Sequence, residues 1–250
     1  MIPYFEWHTI DLGFMQLQVW GLFVGLGFLF GAYMAAWMAK RRGQDPKIVY
    51  DILPWLIFAG ILGGRLGHVF FYDWPYFAKH PLEILAIWQG GASIFGGLIA
   101  CLGVGIWYLR KRKVDVMLYS DILIFGLPFG KWIGRLGCFF IHDHPGTATD
   151  FVLGVQYPEG VVRHDHGLYL SINGFLMATV FLFLARRPRP VGTYLAVFCI
   201  WYGVVRFILD FYRAADIRYF GLTPAQYLCF VLLVAGIGLA MWIRRGLKKV

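Results

Sequence analysis

Charge is what this sequence has least of. Asp, Glu, Lys and Arg make up 15% of its 250 residues, while 59% are hydrophobic. Soluble domains carry about 25% charged residues, so a water-facing globule is excluded and an integral membrane protein is indicated. Acids are the scarcer sign, 14 against 23 Lys and Arg. Cysteine is scarce as well. Cys101, Cys138, Cys199 and Cys229 all fall in apolar runs, which argues against a disulfide framework and leaves the redox compartment open. Repeats of solenoid length and low-complexity tracts are absent. Met1 to Leu17 has no basic run and carries Glu6 and Asp11, so no cleavable signal peptide is expected.

What is present is apolar length. Seven stretches approach the roughly 20 residues needed to cross hydrocarbon as helices: 17–38, 51–71, 93–109, 120–141, 167–185, 193–211 and 223–243. The third is the shortest. The expected fold is therefore an all-α integral membrane protein of about seven transmembrane helices, with 1–250 forming a single membrane domain. The net charge of +9 lies mostly in four basic clusters. These are Lys40-Arg41-Arg42, Arg110 to Lys113, Arg186-Arg187-Pro188-Arg189, and Arg244-Arg245 with Lys248-Lys249. They follow spans one, three, five and seven, so the positive-inside rule predicts an N-out, C-in chain. Anchoring to anionic headgroups accounts for this charge, and nucleic-acid binding is not expected. The expected outer face holds the N-terminal segment and loops 72–92, 142–166 and 212–222. Loop 142–166, rich in His, Asp, Gly and Pro, reads as an irregular ordered loop over a site.

Six ionisable residues lie inside apolar spans: Arg65, His68, Lys131, Arg135, Arg206 and Asp210. Each is costly in hydrocarbon, so such residues face a protein interior and hold a partner or do chemistry. Their cationic excess points to an anionic partner. Arg206 and Asp210 are i and i+4, which predicts an internal pair, and Arg213 extends the same helix face. Glycines recur at spacings of four, as in Gly21, Gly25, Gly27 and Gly31, or Gly126, Gly130, Gly134 and Gly137. They predict close helix contact. Gly90-Gly91 and Gly96-Gly97 predict a broken helix or re-entrant turn.

Taken in order, these motifs resemble the prolipoprotein diacylglyceryl transferase family over nearly the whole chain. The resemblance rests on Met1-Ile2-Pro3-Tyr4, Gly63 to Tyr72, Gly90 to Leu98, Gly134-Arg135-Leu136-Gly137 with Gly146, and Arg163-His164 with Leu168-Tyr169. It continues through Arg186-Pro188-Arg189-Pro190-Gly192 and Tyr202-Gly203 with Arg206, Asp210 and Arg213. The family implies transfer of diacylglycerol from phosphatidylglycerol to the lipobox cysteine of an exported lipoprotein precursor, in a bacterial inner membrane and without a cofactor. By this resemblance Arg135 and Arg206 bind the headgroup and serve the transfer step. Asp143 and Asp210 stand where the family has Glu. Arg65, Gly96, Gly97, Asp210, Arg213 and Arg163 become candidate substrate-binding residues.

Departures from the family pattern cluster on the proton-transfer side. Phe95 replaces a histidine important to the family, Cys138 an asparagine, and Trp20 a tyrosine; the segment between Gly146 and Arg163 is short, implying a reduced head region. His142-Asp143-His144 and His164-Asp165-His166 are two copies of one tripeptide. A histidine titrating near neutrality suits deprotonation of a thiol, so His142 is the candidate substitute base with Asp143 orienting it. A Cys138–His142 pair requires span four to stay helical past 141. The histidines and aspartates could instead supply zinc ligands, but no standard metalloenzyme spacing is present and no metal is expected. Alternative readings are a paralogue using the same phospholipid with another acceptor, and an inactive lipid-binding protein.

Overall fold

The computed structural model describes residues 1–87, 90–214 and 218–247. Trp88 and Gln89 of the third motif, and Lys248-Lys249 of the last basic cluster, lie outside them. In chain order the elements are β1 (Ile2–Pro3), β2 (Thr9–Asp11), β3 (Gln16–Gln18), α1 (Val19–Arg41), α2 (Lys47–Phe71) and α3 (Trp74–Phe77). After a 3-10 turn at Pro81–Leu85 come α4 (Ile94–Lys111), α5 (Val116–Ile141), β4 (Pro145–Ala148), β5 (Val155–Gln156), β6 (Val162–Asp165), α6 (His166–Ala185), α7 (Thr193–Asp210) and α8 (Pro224–Leu247). Among the described residues six helices, α1, α2, α5, α6, α7 and α8, are long and apolar enough to cross a membrane. The remaining long helix, α4, coincides with the span expected to be shortest. The chain is an all-α multi-pass membrane protein, and side chains such as Leu29, Phe58, Val234 and Trp242 are left on its surface, where hydrocarbon rather than water is the fitting solvent.

The chain divides into two compact units, Met1–Met38 with Ser120–Val250, and Ala39–Tyr119. In the first, Phe125, Phe181 and Tyr194 bring α5, α6 and α7 around one aromatic core with ring centroids 5.0–5.9 Å apart. The buried Asp121 carboxylate on α5 accepts from Leu195 N–H in the first turn of α7 at 2.8 Å, where the helix dipole favours a negative charge. Glycines set the α1–α5 crossing. A Cβ on Gly126 would lie 2.1 Å from Gly31 O, and one on Gly27 2.6 Å from Gly130 O. Gly21 and Gly25, in the same repeat, touch nothing closer than 3.9 Å.

The second unit is built on α2 and α4, whose backbones meet through Gly63, Gly67 and Gly96. A Cβ on Gly96 would lie 2.2 Å from Gly63 O. Gly96 and Gly97, the substrate-binding candidates, both lie within α4, and Gly97 faces Gly60 O. Gly90 and Gly91, with φ of +83° and +77°, carry the irregular turn, and Ser93 caps α4. The helix break is therefore confined to the first glycine pair.

Loop 142–166 is not the irregular segment expected from its composition. It forms β4, β5 and β6 of a four-stranded sheet in the order β1-β5-β6-β4, completed by the chain's N-terminus. β1 runs parallel to β5, while β6 is antiparallel to both β5 and β4. The β4–β6 pairing sets Pro145 opposite Asp165, so the two His-Asp-His tripeptides become neighbours. Alternating residues that look like loop chemistry were edge and turn positions of short strands.

Candidate active site

The ionic cluster is built on α5 and α7. The expected pair is formed: Arg206 Nη2 lies 2.7 Å from Asp210 Oδ1, with the carboxylate fully buried. Arg213 Nη1 is 3.9 Å from the same oxygen. The Thr223 hydroxyl donates to Asp210 Oδ2. Thr223 also opens α8, accepting from Gln226 N–H at 3.2 Å while its own N–H donates to Gln226 Oε1 at 2.9 Å. Thr-Pro-x-Gln is a capping-box pattern with proline at the first helical position. That signal was available in the sequence at 223–226; its tie to Asp210 was not.

Lys131, one helical turn before Arg135 on α5, is the residue whose place in this cluster the sequence motifs did not disclose. Its buried ammonium has no hydrogen-bond partner among the described residues and sits 4.4 Å from the centroid of the Tyr202 ring. The cations acting on it are Arg135 and Arg206. Basic side chains of α5 and α7 therefore lie within electrostatic reach of Lys131 in apolar spans, with Asp210 paired to Arg206. Such a cluster is unfavourable unless an anion joins it.

At the end of α5 the chemistry differs from expectation. The helix stops at Ile141, and His142 turns the chain with φ of +45°, so the Cys138–His142 helical pair does not form. Asp143 does not orient His142. Asp165 does, with Oδ2 2.7 Å from His142 Nδ1, both side chains 1% exposed. The Tyr157 hydroxyl donates to the same oxygen at 3.1 Å, and burial beside that carboxylate pushes its pKa up. Asp165 Oδ1 meanwhile caps α6 through Leu168 N–H. Tyr4 stacks on His142 at 4.8 Å, and Phe5 and Phe139 close its edges. His142 Nδ1 thus anchors the turn, while its Nε2 is buried with no hydrogen-bond partner among the described residues.

Asp143 instead pairs with His144, Nδ1 to Oδ1 at 2.5 Å, both side chains partly exposed. Cys138 lies beside them, with Arg135 Nη1 3.7 Å from its Sγ.

The remaining candidates serve the scaffold. Arg65 is 4% exposed, and all three guanidinium nitrogens donate to backbone carbonyls: Nε to Ile84 at 3.0 Å, Nη1 to Gly90 at 2.5 Å and Nη2 to Glu83 at 2.7 Å. Arg65 thereby anchors the loop that follows α2. Arg163 on β6 reaches Gly146 O at 3.5 Å and Glu159 at 3.5 Å. Gly146 bridges to Arg213, tying the sheet to the end of α7. A Cβ there would lie 2.6 Å from Tyr212 O.

A multi-pass helical membrane protein with a cationic interior cluster defines the class. Residues 8–242 match the family model for prolipoprotein diacylglyceryl transferase. Similar relatives include a Geobacter sulfurreducens protein, 33% identical over 97% of each chain, and one from Photobacterium profundum, 32% identical over 96% of this chain and 94% of its own. Another, from Nitrosomonas europaea, is 33% identical over 97% of this chain and 91% of its own. All three carry the name phosphatidylglycerol–prolipoprotein diacylglyceryl transferase. The chain belongs to the prolipoprotein diacylglyceryl transferase family.

Proposed function

We propose that this enzyme transfers the diacylglyceryl group of phosphatidylglycerol to the lipobox cysteine of a prolipoprotein, in a bacterial inner membrane with the N-terminus outside and 1–250 acting as one membrane domain. The observation that carries this reading is the presence of Arg135 and Arg206 within electrostatic reach of Lys131, with Asp210 paired to Arg206. In the reaction the acceptor sulfur attacks the glycerol carbon esterified to phosphate. That carbon–oxygen bond breaks, a thioether forms, and glycerol phosphate departs with the electron pair. Charge grows on the phosphate oxygens as the bond breaks, and fixed cations in a low-dielectric site stabilise it more than water does. A guanidinium matches a phosphate with paired donors, so Arg135 and Arg206 take the oxygens and Lys131 adds a point charge. Asp210, held by Thr223, keeps Arg206 oriented. The acceptor thiol must also lose its proton. That task falls to the polar groups just past the end of α5, around Asp143.

Purified protein is given labelled phosphatidylglycerol and a lipobox peptide, with Arg135→Ala as control. Transfer to peptide that disappears in the variant is expected. Phe95 at the family's histidine position favours a second reading, another acceptor for the same donor, which would show as glycerol phosphate release without peptide lipidation.

A further inference from the structure

We infer that Lys131 is a donor-specificity residue that hydrogen-bonds the ester carbonyls of a diacyl phospholipid, one helical turn deeper than the arginines that hold its phosphate; its place in the reaction rests on the transferase reading. The Nζ of Lys131 is buried with no hydrogen-bond partner among the described residues. The face of the Tyr202 ring lies 4.4 Å from it, which offers attraction on one side. Three N–H donors remain, inside an apolar span where unsatisfied polar groups are costly. What the group lacks is oxygen acceptors.

The register of α5 against α7 places those acceptors. Asp121 meets Leu195 at 2.8 Å, Phe125 meets Tyr194 at 5.0 Å and Lys131 meets Tyr202, so the two helices run parallel and in step. Arg135 follows Lys131 by four residues, as Arg206 follows Tyr202. Two rungs result, about 5.4 Å apart along the helices. Arg135 and Arg206 form the rung nearer Ile141 and the expected outer face. Lys131 and Tyr202 form the deeper one. Lys131 and Arg135 both keep part of their surface open, so this face of α5 is not sealed.

A phospholipid lying head outward has its groups in the same order. The phosphate comes first, and the two ester carbonyls follow just beneath it across the glycerol carbons. With the phosphate on the guanidiniums, the carbonyls fall at Lys131. Side-chain chemistry agrees at both levels: a planar fork matches phosphate oxygens, while a compact amine with rotatable donors suits separate carbonyl oxygens. The glycerol carbon under attack is then held from both sides, by phosphate above and esters below, which is the positioning a displacement needs. A dialkyl-ether lipid offers no carbonyl and leaves the buried amine unpaired, so the site should reject it.

The test compares diester phosphatidylglycerol with dialkyl-ether phosphatidylglycerol of matched chain length, which differs only in lacking the carbonyls. The full chain in detergent is used. Lipid binding is read by native mass spectrometry without peptide, and transfer with a lipobox peptide. Wild type should bind the diester at least about tenfold more tightly, the equivalent of one hydrogen bond to a charged group, and show the same preference in kcat/KM. Lys131→Met, similar in shape but without donors, should lose that preference by weakening toward the diester alone. Its diether binding reports that the chain is folded. Lys131→Gln, which keeps amide N–H donors, should recover part of the preference. Equal binding of the two lipids by wild type overturns the ester contact. So does equal weakening toward both in Lys131→Met, which assigns Lys131 to the phosphate. Ester preference in binding with no transfer to peptide overturns the transferase reading and leaves the contact standing.

Discussion

Asp210 is where the buried ionic network closes: Arg206, Arg213 and Thr223 all meet its carboxylate. Removing it leaves a buried guanidinium unpaired, so Asp210→Ala should cost about 3–5 kcal/mol, read as a lowered unfolding midpoint of the purified chain. Arg206→Lys keeps the charge but loses the planar fork. It should raise KM for phosphatidylglycerol while the fold persists. A pH effect is expected at His164, whose Nδ1 meets the Tyr169 hydroxyl at 2.8 Å and whose ring lies 4.6 Å from that of Tyr212. Burial holds its imidazole below the usual histidine range, so the fold favours the neutral form. Below about pH 6.5 the unfolded chain takes up a proton that the folded chain resists. Stability should therefore fall as pH drops from about 7 to 5, and His164→Gln should flatten that slope in thermal melts. The Arg206–Asp210 pair was legible because four residues is one helical turn. The His142–Asp165 pair was not, since strand pairing rather than helical spacing brings those residues together.

Helix contacts in this protein are made by absent side chains. Without a hydrophobic drive between helices in lipid, close backbone approach supplies the attraction. At Gly126 a methyl group would meet both Gly31 O at 2.1 Å and Ala35 Cβ at 2.9 Å. Gly126→Ala should destabilise by about 1–3 kcal/mol, the range for overpacking. Gly25→Ala meets nothing within 4 Å and should be neutral or gain up to about 1 kcal/mol in helix propensity. Unfolding both variants in the same detergent checks the contrast. Spacing of four marked these glycines as a group; which of them face a neighbour depends on where the partner helix crosses.

For the molecule as a whole, the N-out, C-in orientation is what the basic clusters predict. The N-out reading expects a membrane-impermeant maleimide to label Glu159→Cys in intact spheroplasts and Lys113→Cys only after permeabilisation; the reverse pattern would invert the topology. Apolar length and intramembrane charge were sufficient for the class of protein, the places of the long helices to within a few residues and the i,i+4 ionic pair, because hydropathy and helical periodicity are local properties of the chain. The short-strand sheet, the contacts that Arg65 and His142 make, and the meeting of Cys138 with Asp143 and His144 belong to the tertiary structure. Each depends on how a loop returns and in which register it pairs, and that is set by contacts between residues far apart in sequence, such as Ile2 with Val155 and Pro145 with Asp165.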